Sequence, residues 1–489
     1  MKLSRQSTGC QRNRTISRMT CCVYLVQSLN RARLLFDMGI TPSDQRIHPA
    51  DSPQTFLSWL WKAAVIGCAA LCVFALGLSA KRFADEDAYI SQSYYADLFF
   101  AGDFQDPAWL EFPAYDLQPL PKYLIGLSLR WAQLPMSAPR DAFDWYRNYK
   151  TFGTYPTLIV ARLPFIALGA LGSIAIFGCG TLLKDWRVGA VAAFLLTLNP
   201  LYRLHAHRAM SDTPCEAFML AGLALFLWTW RRSWSGKIGP AVFFVPCLAG
   251  VCFGLSVLCK FNGLLGLVVI AAWSGLAVIS PALDVRPKLA IAGQSIVTLI
   301  VTLAVVVGLN PFMTAQPRGL IAIGQPDLAH MNVWERFDFQ VKHRLELSNN
   351  QKKQFPNDAL YTLADKAQVV AVQGFGRFGP FGPSDSDSTV RFDFGQDWGA
   401  IAWIPAVFLG LIVSMRMALS QFRSGQPPTA LALVIWAALG WAVVTLYLPM
   451  AWNRYLLPIQ SGNVLLVALA AGAVWETLTG RDSTNVTRT

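Results

Sequence analysis

The sequence predicts an all-α polytopic membrane protein, and three observations carry that fold class. Of its 489 residues, 54% are apolar and only 14% charged, a balance more apolar and less charged than soluble domains show. The apolar residues fall in runs of roughly 18 to 24, long enough at about 1.5 Å per residue to cross a hydrocarbon core of about 30 Å. Alternate connections between those runs are short and basic, as the cytoplasmic loops of membrane proteins are.

Taken in order, about ten transmembrane helices are expected: 57–80, 161–183, 188–205, 213–230, 240–259, 262–282, 289–310, 399–415, 429–449 and 455–476. Residues 1–55 read as a basic, disordered cytoplasmic leader. The inner loops then become 184–187, 231–237, 286–288 and 416–423, every one of which carries Lys or Arg. Two long segments, 81–160 and 311–398, fall on the outer face with three short turns at 205–212, 260–262 and 449–454. The expected organisation is that leader, a transmembrane module 56–310 that includes the outer loop 81–160, an extracytoplasmic segment 311–398, C-terminal transmembrane helices 399–477 and a cytoplasmic tail 478–489.

Structureless loops of such length are uncommon, so both outer segments are expected to contain helices lying on the membrane surface. Residues 119–134 mix apolar residues with Lys122, Arg130 and Trp131, the makeup of an interfacial or re-entrant helix. Residues 374–382, rich in Gly, Phe and Pro, read as a loop with aromatic anchors.

The net charge of +12 is concentrated at the start, where residues 1–50 hold eight Lys or Arg against two acids. That excess suits contact with anionic lipid and is poor support for nucleic-acid binding. The leader has no compact apolar core before a small-residue cleavage site, so it is not read as a signal peptide. Ten cysteines are scattered, most of them inside apolar spans and none in a CxxC spacing, which argues against redox or zinc-thiolate chemistry. The compact loops and the absence of a eukaryotic targeting signal suit a bacterial inner membrane.

The candidate chemistry lies on the outer face. Asp85, Glu86 and Asp87 follow the first span directly. They make either a solvated helix start or a site where a carboxylate takes a proton from a hydroxyl or amine, or a pair holds a divalent ion. Adjacent residues cannot all face one way on a helix, so only one or two of the three point to such a site. Arg208 and Asp212 stand four apart after the third span; the guanidinium can snorkel to headgroups or grip a phosphate with its planar fork. Lys260 ends the fifth span and Arg454 precedes the last beside Trp452; Arg162 opens the second, where it can snorkel, make a structural ion pair with the acidic loop or contact substrate. Lys122 is either an interfacial anchor or a substrate contact. His205 and His207 lack the four-residue spacing that sets two ligands on one helical face. Acids and cations gathered at one membrane face suit an anionic lipid and a nucleophile, because ionisable groups at membrane depth are functional candidates by default.

Several short motifs recur in a familiar order. Asp85 and Glu86 are followed three residues on by Tyr89; Gln118, Pro119 and Leu120 stand in the long first outer loop; Arg162 and Leu163 open the second span. Arg208 with Asp212, then Lys260, then Asn310 with Pro311, and finally Arg454, Tyr455, Leu456, Leu457 and Pro458 complete the set. Over about residues 57–477 this resembles the glycosyltransferase-C superfamily, in the branch of protein O-mannosyltransferases and aminoarabinose transferases that take sugar from a polyprenyl phosphate. The resemblance implies many transmembrane helices, juxtamembrane helices in the first outer loop and an active site at the outer surface of the inner (plasma) membrane, facing the periplasm or exterior. It implies Asp85 and Glu86 as the catalytic acids, with Asp85 the base, and Arg208, Asp212, Lys260, Arg454, Tyr455, Arg162, Lys122 and Tyr89 as substrate contacts. The partners it implies are a polyprenyl-phosphate-linked monosaccharide, membrane lipids and an acceptor protein, lipid or glycan. No metal is required, although the acid pair can hold a divalent ion. The sequence departs from the pattern in the third acid, Asp87, and in a 311–398 segment without a recognisable acceptor-binding module.

A transporter or flippase of a lipid-linked sugar is the alternative, since it needs the same cations without the base. Matched halves with broken helices and charges near the midplane would favour it. This sequence shows no internal repeat and places its charges at the outer rim.

Overall fold

The computed structural model describes residues 53–136, 155–317, 328–375 and 398–479. Nearly all of the expected leader, most of the stretch 374–382 and nearly all of the expected tail lie outside the described residues. The chain divides into two compact units, Met1–Leu60 and Trp61–Thr489. The described part of the first is only the opening of helix α1, Pro53–Ala75.

After α1 the first outer segment folds into short helices: α2 (Ala84–Ser91), α3 (Tyr95–Ala101), a 3₁₀ turn at Pro107–Leu110, α4 (Phe112–Asp116) and α5 (Pro119–Trp131). The bundle continues with α6 (Tyr155–Leu183), α7 (Trp186–Leu198), α8 (Pro200–Ala206), α9 (Asp212–Trp234), α10 (Ala241–Cys259), α11 (Leu264–Ile279) and α12 (Val285–Gly308). The second outer segment supplies α13 (Val333–Gln354) and α14 (Leu363–Phe375), before α15 (Trp398–Arg423), α16 (Thr429–Tyr447) and α17 (Leu457–Thr479) close the chain. The all-α fold class and the helices of the first outer loop are as the sequence predicts. Gly374 belongs to the end of α14 rather than to a loop.

Among the described residues nine helices are long and apolar enough to cross a membrane. The third expected span, 188–205, is instead two helices, because Pro200 removes an amide donor and Asn199 caps a new start, accepting from the amides of Leu201 and Tyr202 at 3.0 Å each. The thirteen residues of α7 rise only about 20 Å, but the pair together makes the crossing. The end of α6 meets the end of α9 where Arg231 donates to the Leu182 carbonyl. Their opposite ends meet where Arg162 and the Ala209 amide share Glu86. Since α6 and α9 therefore run the same way, α7 and α8 must return the chain between them.

Helices α9 and α17 are the most buried spans, while α1, α12 and α15 leave most of their surface to the outside, as lipid-facing helices do. Close approach is bought with small residues: a Cβ on Gly180 would lie 2.6 Å from the Gly189 backbone, so α6 and α7 touch only because both positions lack one. Buried indoles find carbonyls on neighbouring helices, Trp273 to Ala432 at 2.8 Å and Trp230 to Trp273 at 3.1 Å, satisfying donors that hydrocarbon cannot.

The two outer segments are joined over the site end. Asn332 caps α13 by accepting from the Trp334 and Glu335 amides. One turn into that helix the buried Arg336 donates to the carbonyls of Phe312 and Ala315 at 2.8 Å. Gln340 reaches the Tyr115 carbonyl at 3.0 Å, binding α13 to α4.

Candidate active site

The site is built where the turn after α1 delivers α2. Glu86, fully buried, receives Arg162 side-on: Nε donates to Oε1 at 2.8 Å and Nη2 to Oε2 at 2.7 Å. The Ala209 amide also donates to Oε1 at 2.9 Å, and the Phe83 amide to Oε2 at 3.1 Å, tying the first turn of α2. The remaining nitrogen of Arg162 donates to the carbonyls of Leu78 and Ala80. One carboxylate and one guanidinium thus lock four pieces of chain together. Arg208 approaches the same carboxylate at 3.9 Å, its guanidinium 5.2 Å from the centre of the Phe83 ring.

Asp85, next along, faces elsewhere. Its side chain is 40% exposed and is paired with Arg454. Arg454 lies over two rings, 4.8 Å from the Trp452 centroid and 5.5 Å from that of Tyr455. The Tyr455 ring carries a second cation, Lys260 Nζ, at 5.4 Å. Lys260 in turn pairs with Asp212 at 2.7 Å, and His205 Nδ1 stands 3.8 Å from the other Asp212 oxygen. Burial works against the charge on Lys260, but Asp212 more than offsets it and holds the ammonium above its ordinary pKa. Asp85, Arg454, Tyr455, Lys260 and Asp212 therefore form one connected, partly open group, with Arg208 beside Glu86 at α2's first turn and within electrostatic reach of Asp85.

The remaining candidates are placed differently. Lys122 is buried, donates to the Pro113 carbonyl and lies 4.8 Å from the Tyr95 ring centre. Burial pushes its pKa down to about 7 against the pull of Asp116. Its hydrogen bond and ring contact lie in the first outer loop rather than in the Asp85 group, because α5 turns this face onto α3 and α4. Tyr89 is buried in an apolar cluster with Ile125, Leu129 and Phe165. Asp87 is buried too: Arg82 Nε reaches Oδ2 at 3.3 Å, and Oδ1 has no hydrogen-bond partner among the described residues. Burial raises its pKa to about 6, with Arg82 opposing and Glu86 assisting. Among the described residues no group of three or more His, Cys, Asp or Glu is placed to hold a metal ion. His207 packs against the turn after α1, where a Cβ on Gly77 would collide with its ring.

Some neighbours were not legible as site residues. Asp116 receives Arg344 at 3.5 Å and His343 at 3.6 Å from α13. Asp358 accepts from the Trp452 indole at 3.0 Å. Both contacts cross between distant stretches of chain, and no local spacing marks them.

Helices and connections define an all-α polytopic membrane protein, and its fold is similar to that of glycosyltransferase-C proteins. Residues 110–315, less than half of the chain, match the family model described as dolichyl-phosphate-mannose-protein mannosyltransferase, as the resemblance in the sequence led one to expect. Among solved structures, the chain is similar to the archaeal oligosaccharyltransferase AglB from Archaeoglobus fulgidus in complex with an inhibitory peptide and a dolichol-phosphate. That match has a TM-score of 0.52 at 15% identity and covers 87% of this chain and 51% of AglB. The same archaeal enzyme tethered to an acceptor peptide matches with a TM-score of 0.51 at 16% identity, over 86% of this chain and 51% of that one. ArnT from Cupriavidus metallidurans in the apo state matches with a TM-score of 0.48 at 16% identity, over 87% of this chain and 62% of ArnT. The chain spans about half the length of the archaeal structures it matches. No curated protein matches the chain.

Proposed function

We propose that the chain is an integral membrane glycosyltransferase that moves a monosaccharide from a polyprenyl-phosphate donor to an acceptor at the extracytoplasmic membrane face. The observation that carries this reading is the meeting of one partly exposed carboxylate, Asp85, with three cations, Arg454, Lys260 and Arg208, at one end of the bundle. The match to a family named for a dolichyl-phosphate sugar, and the likeness to an archaeal enzyme solved with dolichol-phosphate, support a lipid phosphate as the donor.

In this reading the lipid tail lies among the helices and the phosphodiester rests on Arg208, Lys260 and Arg454. The acceptor hydroxyl gives its proton to Asp85, and its oxygen bonds to the anomeric carbon from the face opposite the phosphate. The bond from that carbon to the phosphate oxygen breaks, its electron pair leaves with the phosphate, and the anomeric centre inverts. The cations stabilise the charge that grows on the departing phosphate.

Glu86 supports this step without reacting, because both of its oxygens accept from N–H donors of Arg162, Ala209 and Phe83. The same donor set leaves little room for a divalent ion at the acid pair. Glu86 is filled by nitrogen donors and Asp85 faces a guanidinium, so the positive charge for the reaction comes from side chains. The test is a transfer assay on the purified protein in lipid, with a panel of polyprenyl-phosphate monosaccharides and a membrane extract as acceptor. Labelled product from the wild type, lost in Asp85→Asn and in Arg208→Ala with donor binding weakened mainly in the latter, is expected. Binding of the lipid-linked sugar with no product from the wild type would favour a transporter instead.

A further inference from the structure

A buried acid in the second outer segment is coupled to the cation expected to hold the donor phosphate. Asp358 lies in the turn between α13 and α14 and is 1% exposed. Burying a carboxylate is costly unless its hydrogen bonds are made, and Asp358 Oδ2 accepts from the Trp452 indole nitrogen at 3.0 Å. The Trp452 ring carries Arg454 at 4.8 Å and stacks with Tyr455 at 6.3 Å and 17°. Phe355 meets the same indole edge-on at 5.7 Å. Trp452 is therefore held by a hydrogen bond at its nitrogen and by Phe355 beside it, and it presents the ring on which Arg454 rests.

We infer that Asp358 is a positioning residue for the donor phosphate: it fixes the Trp452 indole, and the indole fixes the guanidinium of Arg454. The inference rests on the proposed function for the role of Arg454. Two physical effects act together. The hydrogen bond sets the orientation of the ring, and a carboxylate accepting from the indole N–H makes the ring a better platform for a cation. The backbone around the pair is held independently. The Ala451 amide donates to the Asp358 carbonyl at 2.8 Å, the Leu360 amide to the Pro449 carbonyl at 3.0 Å, and Ala359 bridges Met450. Removing the Asp358 side chain leaves these main-chain bonds in place, so its loss reads on the indole and the guanidinium.

The experiment measures binding of undecaprenyl phosphate to the full chain in lipid nanodiscs, with donor KM and kcat from the transfer assay. Asp358→Ala is expected to weaken binding roughly tenfold, to raise the donor KM and lower kcat together because Arg454 also meets the charge on the departing phosphate, and to be rescued in part by Asp358→Asn, which keeps an acceptor for the indole but not the charge. Trp452→Phe, which keeps a ring but removes the N–H, is expected to lose about as much, and the double variant no more than either single one. Should Asp358→Ala not fold, Trp452→Phe carries the test. Weakened binding in Arg454→Ala beside unchanged binding in Asp358→Ala and Trp452→Phe overturns the inference alone, as does a double variant whose losses multiply. Unchanged binding in Arg454→Ala overturns the phosphate site and the inference with it.

Discussion

Replacing Glu86 with Gln and, separately, Asp85 with Asn divides the work of two adjacent acids. Glu86 is fully buried and neutralises Arg162, which is equally buried. Glutamine keeps the shape but leaves a guanidinium inside the protein without a counter-charge, and breaking a buried pair from one side costs about 3–5 kcal/mol. Asp85 forms its pair at a more open edge, 40% exposed against 13% for Arg454, and asparagine keeps an acceptor for the guanidinium there, so the change costs about 1 kcal/mol. Its loss removes a general base, worth roughly 10²- to 10⁴-fold in rate. Detergent unfolding titrations in bicelles, followed by tryptophan fluorescence, measure the first quantity, and sugar transfer measures the second. Glu86→Gln is expected to unfold much earlier, and Asp85→Asn to unfold with the wild type while losing turnover. Equal unfolding midpoints for the two variants, or wild-type turnover in Asp85→Asn, would refute this division.

Three further outcomes are expected. Lys260→Met should weaken binding of a polyprenyl phosphate about tenfold or more, read by titration in nanodiscs, because it removes a cation from the Tyr455 ring and takes from Asp212 its ammonium partner. Asp87 holds a proton up to about pH 6 in the fold against an ordinary carboxylate near 4, so the folded state binds more protons than the unfolded one in that window, and stability should fall as pH rises from about 4 to 6. Asp87→Asn should flatten that slope in pH-dependent unfolding titrations; an unchanged slope would assign it to another group. Gly77→Ala should lower the unfolding midpoint, since its methyl would meet the His207 ring, with a cost of about 1–3 kcal/mol.

Apolar run length and loop charge made the helical bundle legible, because both follow from the bilayer and act locally along the chain. They could not show the break at Asn199 and Pro200, where a cap and a missing amide interrupt a stretch whose hydropathy is continuous. At the site, the cations at span ends were conspicuous because topology disfavours them there, and Arg454, Lys260 and Arg208 come together as charge placement implied. The separate fates of Asp85, Glu86 and Asp87 were not legible. One helical turn sends them in different directions, and which one is enclosed depends on Arg162, 76 residues beyond Glu86. Lys122 shows the same limit: the sequence suits either an interfacial anchor or a substrate contact, and packing turns it toward Pro113 and Tyr95.

The clasp between Glu86 and Arg162 also sets what each acid position can tolerate. Glu86 reaches across to a guanidinium that is itself pinned to the Leu78 and Ala80 carbonyls, so the gap has a fixed width. Aspartate would keep the charge and fall short by one carbon–carbon bond, about 1.5 Å, and Arg162 is held back by its own bonds to those carbonyls. At position 86 reach matters as much as charge, and a substitution conservative on paper is severe in the fold.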